Sequence, residues 1–150
     1  MSHLLIDAEE LIMALEYHAY ESQYFLDLQT GEVLLVADEA YVEPKEELKM
    51  QIQAEPDRYW AIDPIPSSVG WQVMAEFIEQ LPVGEARERL TRVVERSHPF
   101  RRFKDTLLDY PEIREQWFAF HERAMLQLAR GWLEDEGIEA ELKLRDGGEA

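Results

Sequence analysis

The chain contains no cysteine. That excludes disulfides, thiolate metal sites and a cysteine nucleophile together. No apolar run approaches the roughly 20 residues of a membrane-spanning helix, and the N-terminus lacks a basic-then-apolar leader. A soluble, cytoplasmic protein with no membrane partner is expected. Positive charge is scarce: 15 Lys+Arg stand against 32 Asp+Glu, for a formal net charge of -17. A surface of that sign repels nucleic acid and anionic membranes at long range. A generally basic nucleic-acid binder is therefore excluded. Apolar material is not scarce. At 46% hydrophobic and 11% aromatic, the chain departs from the composition of disordered proteins and can bury a core of its own.

The charge is unevenly spread. Residues 1–44 hold ten acids and no Lys or Arg. Residues 87–104 hold seven basic residues (Arg87, Arg89, Arg92, Arg96, Arg101, Arg102 and Lys104) and two acids. The acidic excess reads as solubility or as a surface for a basic partner. Any anion-binding role has to rest on the second stretch.

Local patterns predict the elements. Asp7 and Glu10 form a capping-box pair that opens a first helix, with Leu11, Ile12 and Leu15 as its apolar stripe. Tyr24–Val36 reads as a β-hairpin turning at Gln29-Thr30-Gly31. Pro44 starts a short helix over Lys45–Gln53, and Arg58–Ile62 is a third strand. Ser67 or Ser68 caps a helix with Trp71, Met74, Ala75, Ile78 and Leu81 at helical spacing. Further helices follow over Gly84–Arg96, Phe100–Leu108 and Glu112–Glu136. The second of these carries Phe100, Phe103 and Leu107 on one face. The last carries Ile113, Trp117, Phe120, Ala124, Leu128 and Trp132, flanked by Phe118, Met125 and Leu133. Gly137, followed by Ile138, is a Schellman stop. Ile138, Ala140, Leu142 and Leu144 then alternate as a returning strand at the edge of the N-terminal sheet.

The fold class is α+β. A small, mainly antiparallel N-terminal sheet packs on a C-terminal helical bundle, in a single domain over residues 1–150. Within it, 1–66 is sheet-rich, 67–137 helical, 138–144 the returning strand and 145–150 a tail.

Several blocks carry a family resemblance. They are YFLDLQTGEVLLV at 24–36, DRYWAIDPIPS at 57–67, GWQVMAEFIEQLP at 70–82, FRRFKDTL at 100–107, WFAF at 117–120 and ARGWLEDEGI at 129–138. In this order the chain resembles a bacterial family known as uncharacterised protein family 0158, from the first helix to Ile138. The resemblance implies a shared fold and no activity. The family pattern has Gly and other small residues ahead of FRRFKD, where this chain has Glu95-Arg96-Ser97-His98-Pro99. That departure weakens a phosphate-loop reading.

The FRRFKD block is the chief candidate site. Ser97, Arg101, Arg102 and Lys104 lie at or near a helix N-terminus, where free N–H groups and the dipole favour an anion. The planar fork of arginine suits phosphate or carboxylate. The competing reading makes Phe100 and Phe103 core anchors and pairs the arginines with the chain's surplus carboxylates. In the preceding helix, Glu85–Arg89 and Glu88–Arg92 have the favourable i,i+4 orientation. Asp105 and Asp109 share a helix face at the same spacing. The four histidines, His3, His18, His98 and His121, show no metal-ligand spacing, so no metal or cofactor is expected. Tyr59 and Trp60 sit on a strand beside a Pro-rich loop. Alternation sends one of them outward as a candidate partner contact.

These features point first to a non-catalytic acidic interaction or regulatory protein with a basic protein partner. The alternative is a protein that binds phosphate, a nucleotide or RNA at the FRRFKD helix. A third reading, a small carboxylate-dependent hydrolase, needs convergent acids and Mg²⁺. No catalytic residue is assigned.

Overall fold

The computed structural model describes residues 4–18, 22–37 and 45–144, without the side chains of 37, 45 and 46. The elements in chain order are β1 (Leu4–Asp7), α1 (Ala8–Glu16), β2 (Ser22–Asp27), β3 (Val33–Ala37), α2 (Lys45–Ala54) and β4 (Tyr59–Ile62). They continue with α3 (Ser67–Glu79), α4 (Glu85–Val94), α5 (Pro99–Leu107), α6 (Pro111–Asp135) and β5 (Ala140–Lys143). The fold is α+β. Pro44 and the tail 145–150 lie outside the described residues. Two compact units divide the chain: residues 1–64 with 126–150, and residues 65–125.

The first unit holds all the described strands. β2 pairs with β3 and with β4, antiparallel in both cases, so β2 is central. Gly31 makes the hairpin turn at φ 83°, a conformation that costs glycine little and other residues more. Its N–H donates to the Asp27 carbonyl at 2.8 Å. A Cβ at Gly31 would collide with the backbone carbonyl of Leu5, so the turn sits tight against β1. α1 packs on β1 and β3, and α2 on β3. Leu11, Ala14 and Leu15 are the buried face of α1. Its N-terminus is capped as expected: Asp7 Oδ1 accepts from the Glu10 N–H at 3.1 Å.

The returning strand differs from the sequence expectation in its partner. β5 does not join the edge of the hairpin sheet. It pairs in parallel with β1, Leu4 opposite Ala140 and Ile6 opposite Leu142, as a separate two-stranded sheet. The sequence pattern gave no strand at β1, because four residues that run straight into a helix cap are too short to show a period. The Schellman stop is present in full. Ile138 N–H donates to Leu133 O at 2.9 Å and Gly137 N–H to Glu134 O at 3.1 Å, with Gly137 at φ 72°. This pair of bonds satisfies carbonyls that the helix end leaves open.

The second unit is helical. Its core gathers Val73, Met74, Phe77 and Ile78 of α3 with Leu90, Val94, Phe103, Leu107 and Trp117. Phe77 is fully buried and lies edge-on to Phe103, at 6.4 Å between centroids, and to Trp117, at 5.3 Å. Edge-to-face contacts of this kind suit the aromatic quadrupole and add to the burial itself. The stripe expected on α3 is thus turned toward Val73 and Phe77, while Trp71 and Ala75 are only partly buried. Trp71 instead donates its indole N–H to Val94 O at 2.8 Å.

Three local expectations are corrected. Neither Ser67 nor Ser68 caps α3. The N-cap is Pro66, without a side-chain bond, because its extended backbone already leads into the helix. Phe100 is not a core anchor, being 41% exposed. α5 begins at Pro99, which puts Phe100 in the first turn with its ring over Gly70, while Phe103, Thr106 and Leu107 take the buried face. On α6 the fully buried positions are Trp117, Met125, Ala129 and Leu133. Phe118 is exposed, with the Arg114 guanidinium 4.8 Å from its ring centre.

Two glycines make a contrasting test of this packing. Gly31→Ala should lower stability by more than about 1 kcal/mol, since it meets both positive φ and a backbone clash. Gly131, inside α6 with open space around a would-be Cβ, should gain up to about 1 kcal/mol as alanine. Thermal unfolding of the two variants beside the wild type measures both.

Candidate functional site

The richest polar constellation in the described residues centres on Asp27, at the end of β2. It is 2% exposed. Its carboxylate accepts from Arg58 Nε at 3.0 Å and from Arg58 Nη2 at 2.9 Å. It also accepts from the backbone N–H of Gln29 at 2.8 Å and of Thr30 at 3.3 Å. Burial pushes the Asp27 carboxyl upward, but the Arg58 fork and the two turn N–H groups outweigh it and hold the pKa below the ordinary value of 3.8. The same bond raises the pKa of Arg58, whose guanidinium also lies 5.0 Å from the Tyr59 ring centre. Every strong donor near the carboxylate is thus committed to holding the turn against β4. The constellation is structural.

Tyr59 and Trp60 separate as alternation requires. Tyr59 is 6% exposed and Trp60 37%. Trp60 donates its indole N–H to Glu136 Oε1 at 2.7 Å. The aromatic ring is thereby fixed beside the C-terminal end of α6. That end carries Glu134, Asp135 and Glu136, all exposed, with no basic residue in the last turn. The helix dipole places its negative end at the same point.

The residues of the FRRFKD block lie together on α5 and the turn before it. Ser97, Arg101, Arg102 and Lys104 are all exposed. Arg102 donates Nε–H to the Ser97 carbonyl at 2.7 Å, so Ser97 contributes backbone rather than hydroxyl to this contact. His98 precedes the helix in the left-handed region, φ 55°, and makes no side-chain cap. Pro99 in the first turn removes one N–H donor from the helix N-terminus. Arg92, Arg96, Arg101, Arg102 and Lys104 make no ion pair with a carboxylate among the described residues. Arg89 does, but not with Glu85. It reaches Asp109 Oδ2 at 3.1 Å and the Tyr110 hydroxyl at 3.1 Å. Asp109 stands beyond the end of α5, so it shares no helix face with Asp105. The loop ending α5 offers Arg89 two acceptors, where the helix surface offers one.

Asp27 and Arg58 are the polar residues that sequence reasoning passed over. Two signals for them were present: an Asp opening an Asx-type turn in DLQTG, and the one arginine in the first 86 residues. Among the described residues, no group of three or more His, Asp or Glu side chains is placed to hold a metal ion. No described helix is long and apolar enough to cross a membrane.

Residues 1–144 match the model of an uncharacterised protein family, UPF0158, and the chain belongs to that family. A relative from Pseudomonas aeruginosa, named UPF0158 protein PA5073, is 32% identical over 139 residues, spanning 93% of this chain and 88% of its own. No solved structure matches. The family is bacterial in this relative and carries no stated activity.

The Asp27 network generates a pH dependence with a defined sign. A carboxyl held below its unfolded value contributes stability above that value and loses it as pH falls through the folded one. The resistance of the wild type to chemical denaturation should therefore fall as pH drops below about 4. Asp27→Asn should lack that component and, at neutral pH, be less stable by about 1–2 kcal/mol, because Arg58 loses its charged acceptor.

Proposed function

We propose that this protein is a non-catalytic interaction protein whose sheet-bearing unit engages a basic protein partner. The supporting observation is the division of charge between the units. The first unit, residues 1–64 and 126–150, holds 22 Asp+Glu and 6 Lys+Arg, a net -16. The second unit, residues 65–125, holds 10 and 9, a net -1. Nearly the whole excess belongs to one compact body. The ion pair of buried Asp27 with half-buried Arg58 consumes one of its few cations internally. A field of that sign steers cationic partners and suppresses acidic ones.

A second reading is supported by the exposed block Ser97, Arg101, Arg102 and Lys104: an anionic ligand with phosphate or carboxylate groups, such as a nucleotide or RNA. It draws on cations that find no carboxylate among the described residues.

The two readings separate experimentally. For the first, immobilised full-length protein should retain a basic protein at about 0.1 M salt and release it at about 1 M, where the Debye length is roughly 3 Å. Retention of no partner, or of one that ignores salt, would sink it. For the second, Arg101→Ala with Arg102→Ala should abolish binding of a labelled uridylate oligomer. The melting temperature should change little, because both side chains are exposed.

A further inference from the structure

We infer that the partner of the acidic unit is a second copy of this chain, docked through α5. The inference rests on the first reading above, with the basic patch of a second copy in place of a wholly basic protein. The basic face is a helix surface. Phe100, Arg101 and Lys104 stand at i, i+1 and i+4 on α5, all three exposed. Positions at i,i+3 and i,i+4 are neighbours on a helix, so one aromatic and two cations share a side. The chain carries a surplus of 17 negative charges, yet neither cation meets a described carboxylate at ion-pair distance. Their complement is therefore left unfilled within the described chain.

That complement exists on the other unit. The C-terminal end of α6 presents Glu134 and Asp135 at the negative end of a 25-residue helix, without a basic residue in its last turn. Trp60 stands beside it, 37% exposed and fixed by its bond to Glu136. An exposed, orientationally fixed indole next to carboxylates suits an arginine or lysine, by cation–π attraction from the ring and ion pairing from the acids. The α5 face supplies cations and a phenylalanine. Each face thus has charge of one sign around an exposed aromatic, the composition that anchors protein contacts.

The net charge on each copy opposes approach at long range. At about 0.15 M salt the Debye length is roughly 8 Å, so distant charges are screened and the charges in contact decide. The two faces differ, and a second copy can meet them reciprocally in a closed two-fold pair or one at a time in a ring or open chain.

Charge exchange tests this on the full-length protein by sedimentation velocity at about 0.15 M salt. The wild type should show a mass that grows with concentration. Arg101→Glu with Lys104→Glu should raise the dissociation constant at least tenfold, and Glu134→Lys with Asp135→Lys should do the same. All four positions are exposed, and Lys at the end of α6 suits the helix dipole, so folding is expected to survive. An equimolar mixture of the two variants should recover association, which a folding defect cannot imitate. A wild type that stays monomeric at high concentration overturns the inference, as does association that persists in both variants, or a mixture that does not reassociate. If the wild type is monomeric but a basic protein is still retained in the pull-down, the acidic-interaction reading stands without this one. If the α5 variant loses only oligonucleotide binding, the surface belongs to an anionic ligand and the second-copy inference fails.

Discussion

One buried carboxylate ties the hairpin turn of the first unit to its third strand. Asp27 binds the hairpin turn through the Gln29 and Thr30 N–H groups and the third strand through Arg58. The turn it fixes contains Gly31, and Gly31 lies against the backbone of β1. β1 in turn pairs with β5. Hairpin and third strand are therefore bonded at one turn, and the terminal strands pack close against it. A two-pronged arginine contact is suited to this, because it fixes angle as well as distance.

The polar and apolar organising centres have different characters. In the first unit the specific contacts are hydrogen-bonded and charged, inside a body that is otherwise strongly acidic. In the second, Phe77, Phe103 and Trp117 set the helix positions by shape. Its charges balance almost to zero, and their local excess lies on α5 and the turn before it. Division by compact unit resolves a bulk acidity into one strongly acidic body and one nearly neutral body with a local basic patch.

Much of this was legible in the residues. Gly31 and Gly137 each marked a stop that the structure contains, because positive φ leaves few alternatives to glycine. Period two at 140–144 announced β5, but not its partner, since pairing is a long-range choice that a local pattern does not encode. Phe77 was missed as a core centre because Trp71, Met74 and Ile78 form a stripe one notch away around the same helix. Arg89 shows the same limit for charge: the i,i+4 rule offered Glu85, and the fold offered Asp109 with Tyr110. At the candidate site, the block Ser97–Lys104 was visible as composition. Its lack of described carboxylate partners depends on where every acid lies in space. Trp60 was half legible: alternation put one of two aromatics outside, while its bond to Glu136, 76 residues away, was not readable locally.

The pairing of β1 with β5 has a consequence for how the chain matures. Leu4 and Ala140 face each other across the sheet, so this ladder closes a loop that takes in nearly all the described residues. Loop-closure entropy makes such a contact late and slow compared with the hairpin or the helix turns. On a ribosome delivering about 5–20 residues per second, β1 emerges long before its partner is made. Leu4 and Ile6, buried in the finished molecule, wait uncovered for that interval. Residues 4–7 are thus secured only once 140–143 are made, and a nascent chain stalled before residue 140 displays a strand edge that pairing with β5 covers.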